Sequence, residues 1–268
     1  MKVVFNHKTL DKELIKASEF DRAIRYGDGF FETMRVVNGR VPLLEFHLDR
    51  LRRAMHAAGL EDWHEINDKI LGHVQSLVVQ FPKSKHHRAR LIVWRKAGGL
   101  YTPESDQSNF LLEVQESHQS AIAYKEQCGV ATSMYNVMHP LSSFKRLSAM
   151  QYVMAAREMK AGGFDDIIIC DQQGNISECL YSNIFWRFDN VLYTASLKSG
   201  CIDGTMRRFL LQRFQHVGVE CQEVLAIPEV LQQAEVVFAS NAMGISFIGK
   251  IKNAQYVDWP QMSEFLPF

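Results

Sequence analysis

Asn38-Gly39 lies between two β-rich runs in FFETMRVVNGRVPLL, residues 30–44, and such a dipeptide is the strongest short hairpin signal a sequence carries. Directly after it, LLEFHLDRLRRAMHAAGL places Leu44, Leu48, Leu51, Met55 and Ala58 at helical spacing, with Gly59 as a natural stop. A chain that passes from hairpin to amphipathic helix this quickly calls for an architecture in which helices cover sheets.

The remaining pattern agrees. A short strand is expected over KVVFNH, a helix over INDKILGHVQSLVVQF, and strands over RARLIVWRK and NFLLEVQES. The second half reads as a strand near GVATSMYNV, a polar loop, a helix ending at Gly162-Gly163 and a strand over FDDIIICD. NIFWRFDNVLYTAS reads as a hairpin turning at Asp189-Asn190, GTMRRFLLQRFQHVG as a helix and AEVVFASN as a strand. The fold class is α+β in two α/β domains: an N-terminal domain over 1–117, a linker over 118–124 and a C-terminal domain over 125–268. At 268 residues each half can bury its own core.

Charge and cysteine usage narrow the function. Thirty basic residues balance thirty acidic ones, which removes the electrostatic argument for nucleic acid or an anionic membrane as partner. The basic run KSKHHRAR, Lys83 to Arg90, reads as a solvated loop leading into ARLIVW. Five widely spaced cysteines without a CxxC pair argue for a reducing compartment and against a structural zinc site. The start MKVVFNHKTL has no apolar core for a signal peptide, and no run reaches membrane-spanning length. A cytoplasmic location is expected. GDGFFE lacks the third glycine of a dinucleotide loop, and GxxxxGK[ST], HExxH and GxSxG are all missing.

Two charges sit in unusual surroundings. Lys145 follows a polar turn and precedes a helix of Met, Ala and Val, and Glu178 stands between a polar turn and the apolar NIFW. They could form an ordinary ion pair, or hold the two ends of an aromatic cofactor. A lysine with a lowered pKa forms a Schiff base with an aldehyde, and a carboxylate against a pyridinium nitrogen preserves the electron sink. SGCIDGTMRRF delivers a loop into a helix whose first amides, at Thr205 and Met206, suit a phosphate. Asn241 and Ala242 in VFASNAMG end a strand in the same manner, and Arg50 borders the apolar stripe of its helix. Taken singly, each has a plain alternative as a cap, a turn or a solvated charge.

In chain order, YGDGFFETMRVVNGRVPLLEFHLDRL, Lys145, NISECLYSNIFW, GTMRRF and FASNAMGIS resemble the fold-type IV pyridoxal-phosphate enzymes. That family holds branched-chain aminotransferases, D-amino-acid aminotransferases and 4-amino-4-deoxychorismate lyase, and the likeness runs from about Asn6 to Ile248. It implies a D-amino-acid aminotransferase-like fold with pyridoxal 5'-phosphate between two domains, in a homodimer acting on a small amino substrate, with no metal. By the same resemblance Lys145 is the Schiff-base lysine and Glu178 the partner of the ring nitrogen. Arg50, Thr205, Met206, Asn241 and Ala242 surround the phosphate.

Length, GDGFFETMRV and SNAMG are most similar to the lyase branch, which gives 4-aminobenzoate and pyruvate on the folate route. Ser148-Ala149 stand where those lyases commonly carry Asn-Arg, and RKAGGLY, with Leu100, replaces a loop that often holds an arginine. Arg95 or Lys96 would then bind the substrate carboxylates. Glu32 resembles a glutamate of the branched-chain and D-amino-acid transaminases, which favours amino transfer as the alternative. A catalytically silent binding homologue is the third reading, which the intact Lys145 and Glu178 oppose.

Overall fold

The computed structural model of the chain describes residues 1–16, 18, 21–61 and 63–268. The chain forms two compact units: one comprises Met1–Gln119, Phe144–Ser148 and Phe268, the other Ser120–Ser143 and Ala149–Pro267.

In the first unit β1 (Lys2–Phe5), β2 (Lys8–Asp11), β3 (Gly29–Val37), β4 (His86–Arg95) and β5 (Ser108–Glu116) form an antiparallel sheet ordered β2-β1-β5-β4-β3. Its helices are α1 (Arg22–Tyr26), α2 (Leu44–Ala57), α3 (Trp63–Asn67) and α4 (Ile70–Val78). Alternation assigns the faces: Met34, Val36, Ala89, Leu91, Val93, Leu112 and Val114 are buried, and α2 and α4 pack on the sheet through Leu51, Ala54, Met55, Ile70, Val74 and Leu77. Burying each such Leu, Ile or Val side chain contributes roughly 1.5–3 kcal/mol. The opposite face is more open, with Phe31, Thr33 and Ile92 half-buried and Arg90 exposed.

The turn at Asn38-Gly39 forms, both residues taking positive φ, at 50° and 72°. The second strand expected after it does not. Only Arg40 bridges back to Val37, Pro42 supplies no N–H, and the long partner of β3 is β4. The expected helix over INDKILGHVQSLVVQF is two helices, broken at Asp68-Lys69, where the Lys69 N–H turns to the Ile66 carbonyl at 3.4 Å and closes the first helix with a tighter turn.

The second unit holds β6 (Ile122–Val130), β7 (Asp166–Cys170), β8 (Ile176–Cys179), β9 (Asn183–Phe188), β10 (Val191–Ala195), β11 (Cys221–Val224), β12 (Val236–Asn241), β13 (Gly244–Ile251) and β14 (Ala254–Gln255). They form one sheet ordered β11-β10-β9-β12-β13-β6-β7-β8, with β14 paired to β13. Pairs β10/β11, β13/β6 and β6/β7 are parallel. The strand expected near GVATSMYNV lies earlier, over β6, where it has β13 and β7 as neighbours. Asp189 and Asn190 turn the β9/β10 hairpin at φ 48° and 60°. Helix α5 (Met150–Ala161) packs on β7 around Ala155, Ile167, Ile169 and Leu180, and α6 (Thr205–His216) packs on β12. A larger core gathers Ile168, Ile176, Ile184, Trp186, Val237 and Ile248.

Among the described residues no helix is long and apolar enough to cross a membrane.

Candidate functional site

Lys145 belongs to the first unit, in the short segment Phe144–Ser148, while the chain on either side of that segment belongs to the second. The Phe31 N–H donates to the Lys145 carbonyl at 2.9 Å and the Leu147 N–H to the Gly29 carbonyl at 3.0 Å, so 145–147 lies as a short antiparallel addition along the edge of β3. A glycine permits the approach: at Gly27, φ 61°, a Cβ would lie 3.0 Å from the Ser148 nitrogen, while Gly29, where a Cβ would lie 2.3 Å from the Val93 carbonyl, lets β3 close on β4. The Lys145 Nζ stands 4.8 Å from the centroid of the Phe31 ring, a cation held by an aromatic face.

One residue on, Glu32 points to the other face of β3 and is buried. Arg50 grips it with two hydrogen bonds, Nε to Oε1 at 2.8 Å and Nη2 to Oε2 at 2.5 Å, and His47 Nδ1 lies 2.6 Å from Oε2. His47 and Arg50 are three apart on α2 and so share one helical face. Burial opposes ionisation of Glu32, but Arg50 and His47 outweigh it and hold the carboxyl at about 2. Burial pushes His47 down, against the pull of Glu32 and with help from Arg50 and Lys145. It is therefore neutral near pH 7, with Nδ1–H donating to Glu32 and a buried Nε2 that meets no hydrogen-bond partner among the described residues.

In the second unit Glu178, on β8, is buried and accepts three hydrogen bonds. Asn136 Nδ2 and the Tyr152 hydroxyl reach Oε1 at 2.8 and 2.7 Å, and the Ile202 N–H reaches Oε2 at 3.2 Å. A carboxylate with this many donors is oriented, and its charged form is favoured.

Thr205 and Met206 are buried at the start of α6, and that start has no side-chain cap. First-turn donors with no such partner favour an anion. Ser240 stands opposite Asn183 on adjacent strands, and its buried Oγ has no hydrogen-bond partner among the described residues. The Asn183 amide donates to the Ile202 carbonyl at 2.7 Å, in the loop that leads into α6. Asn241 and Gly244 close a two-residue turn over Ala242-Met243, and the Asn241 Oδ1 accepts from the Met243 N–H at 2.9 Å.

Arg95 is engaged within its own unit. Nε donates to Asp28 at 3.1 Å, Nη1 to Asp106, Gly59 and Ser105, and Nη2 to the Ala58 carbonyl. The first unit thus brings together Lys145 and, across β3, Glu32 with Arg50, whereas Arg95 serves the end of α2. His47, Asn136 and Tyr152 went unread in the sequence. The i, i+3 spacing of His47 and Arg50 was the one available signal, since the partners of Asn136 and Tyr152 come from a distant strand.

A family profile, amino-transferase class IV, matches residues 29–251. Aminodeoxychorismate lyase of Bacillus subtilis (strain 168) is 27% identical over 251 residues, covering 90% of this chain and 83% of that protein. A probable branched-chain-amino-acid aminotransferase of Rickettsia bellii is 28% identical over 224 residues, 81% of this chain and 75% of that one. Among solved structures, 4-amino-4-deoxychorismate lyase from Pseudomonas aeruginosa superposes with a TM-score of 0.85 at 23% identity, over 99% of this chain and 100% of that one. With its two sheets, its ordered motifs and a profile match from β3 to β13, the chain belongs to the class IV aminotransferase family, as a fold-type IV pyridoxal-phosphate enzyme acting as a lyase or an aminotransferase.

Proposed function

We propose that this chain is an aminodeoxychorismate lyase that releases 4-aminobenzoate and pyruvate, with pyridoxal 5'-phosphate as cofactor. One observation supports the lyase assignment: two aminodeoxychorismate lyases, those of Bacillus subtilis and Vibrio harveyi, are 27% and 24% identical to this chain over 90% of its length. The residues present fit the cofactor. The buried start of α6 without a side-chain cap and the unpartnered Ser240 Oγ suit an anionic end, and the triply hydrogen-bonded Glu178 suits a basic ring nitrogen.

When bound, pyridoxal phosphate supplies an electron sink for charge at the substrate Cα. We assign Lys145 to its aldehyde end and Glu178 to its nitrogen, and Thr205, Met206, Asn241 and Ala242 to its phosphate. Arg50 belongs with that phosphate set, with Glu32 and His47 holding its guanidinium in place. Lys145 Nζ takes the proton from Cα and returns it, the step that lyase and transaminase share. Asn136 and Tyr152 keep the Glu178 carboxylate oriented and charged while this happens. The working unit is a cytoplasmic homodimer, for which sedimentation should give twice the chain mass.

Amino transfer is the second reading, and one observation favours it. The donors of Arg95, one of the two cations offered for chorismate carboxylates, are engaged by its own unit, which leaves Lys96 alone for that task. The test offers the purified holoenzyme aminodeoxychorismate and, separately, a panel of D- and L-amino acids with 2-oxoglutarate. Release of aminobenzoate supports the lyase. No aminobenzoate alongside efficient oxo-acid formation gives the function to a transaminase.

A further inference from the structure

We propose that Glu158 is a positioning residue for the Glu178 carboxylate, clamping Thr132-Ser133 onto α5 so that Asn136 and Tyr152 arrive together at one oxygen; its part in turnover rests on Glu178 being the partner of the ring nitrogen. Asn136 and Tyr152 both reach Glu178 Oε1, at 2.8 and 2.7 Å, yet they come from different pieces of chain. Tyr152 sits in the first turn of α5, and Asn136 lies in the loop that follows β6. Hydrogen-bond geometry is narrow, so two donors meet at one atom only while that loop and the helix keep a fixed spacing.

Glu158 supplies the spacing. Its Oε1 accepts from the Thr132 N–H and hydroxyl, both at 2.8 Å, and its Oε2 from the Ser133 N–H at 3.0 Å and the Ser133 hydroxyl at 2.5 Å. Burial opposes ionisation of Glu158, but these donors outweigh it and hold the carboxyl at about 2. The clamp is therefore charged at any working pH. Glu158 follows Tyr152 by six residues on α5, which is about 9 Å along the helix axis. From Ser133 to Asn136 an extended chain spans at most about 10 Å. The loop thus runs back along α5, with one end at Glu158 and the other at Glu178.

Main-chain bonds tie this loop to β7 on either side of the clamp: the Ala131 N–H donates to the Ile168 carbonyl and the Asn136 N–H to the Cys170 carbonyl, both at 2.8 Å. Thr132 and Ser133 are exposed and add nothing to the apolar core, and α5 already packs on β7 around Ala155. A carboxylate at the surface contributes little to global stability. What the clamp fixes is a distance, because it links the helix that carries Tyr152 to the loop that carries Asn136.

Hydrogen exchange of the Asn136 amide is a readout that needs no turnover, since its acceptor, the Cys170 carbonyl, is untouched by a change at residue 158. In holoenzyme reconstituted with pyridoxal phosphate, Glu158→Ala should speed that exchange by about 10-fold, the worth of one hydrogen bond to a charged group. Alanine is the better helix former, so α5 should persist and a thermal melt should stay close to wild type. Glu158→Gln keeps one acceptor oxygen of two and should exchange at an intermediate rate. Arg157→Ala, exposed on the same helix, should match wild type. In turnover Glu158→Ala should lower kcat by about 3- to 10-fold, and combined with Tyr152→Phe the losses should be less than multiplicative, because each disturbs the same convergence on Oε1. Wild-type exchange at Asn136 in Glu158→Ala overturns the proposal, as do losses that multiply in full. Glu178→Gln, assayed alongside, separates the two readings. Normal turnover there removes the ring-nitrogen role of Glu178, and the clamp then stands or falls on exchange. A large loss there, with Glu158→Ala like wild type in exchange and rate, removes only the clamp.

Discussion

Glu178 receives three donors of different kinds, and removing each should cost differently. Tyr152→Phe removes one uncharged donor to the carboxylate and should lower turnover by roughly 3- to 10-fold with the fold intact. Glu178→Gln keeps the shape and removes the charge, so kcat should fall by about 10²–10³-fold in steady-state assays of the holoenzyme. If both variants kept near-normal turnover, the ring nitrogen would answer to another group. Glu32 makes a prediction about pH. Its carboxyl is held at about 2 against an ordinary 4.5, so the native state binds fewer protons than the unfolded chain. The stabilisation, on the order of 3 kcal/mol, is therefore complete above pH 4.5 and is lost as pH falls towards 2. Neutral His47 adds to the acid sensitivity, because its lowered pKa also favours the unfolded chain once pH drops below its usual 6.5. Thermal midpoints measured from pH 7 to pH 3 should fall steeply for wild type. Glu32→Gln should start lower, since Arg50 loses its partner, and should change less across that range; a parallel pair of curves would remove Glu32 as the cause.

Elements were legible wherever local chemistry decided them, and less so where distant partners did. Gly59 and Gly163, at φ 69° and 67°, stop α2 and α5 as their positions suggested, and Asp189-Asn190 turns its hairpin. Asn38-Gly39 turned as well, but no local rule shows that the strand before it would choose β4, nearly fifty residues on, over the run just beyond the turn. Arg95 illustrates the same limit at a candidate site. Its placement beside a glycine-rich loop suggested a substrate cation, and only the tertiary fold brings it to the Ala58 and Gly59 carbonyls at the end of α2. Arg95→Ala should therefore cost about 2–4 kcal/mol in urea denaturation while leaving reductive labelling of Lys145 intact. Gly244 makes a parallel test in the second unit: its φ is 143°, and a Cβ there would fall 2.1 Å from the Ala121 carbonyl. Gly244→Ala should lower stability by several kcal/mol, and an unchanged denaturation midpoint would mean that the β13/β6 junction yields easily.

Across the whole molecule, the motifs that announce the family lie in order from β3 to β13 and were readable because they are local strings. Reaction choice was not readable, because no periodicity singles out the side chains that meet a substrate's far end, and both lyases and aminotransferases are among this chain's relatives. The attachment of Lys145 to the edge of β3 has a consequence of a different sort. Two main-chain hydrogen bonds, from Phe31 to Lys145 and from Leu147 to Gly29, act as a ruler that counts in single residues. Because an extended chain presents successive side chains to opposite sides, a one-residue slip beginning after Phe144 would turn the ammonium away from Phe31 while Phe144 kept its edge-to-face contact with Phe30. A glycine inserted between Phe144 and Lys145 should therefore leave a cooperative melt and abolish borohydride labelling at the lysine. The register of this segment, more than the identity of its flanking residues, is what length variation there would have to respect.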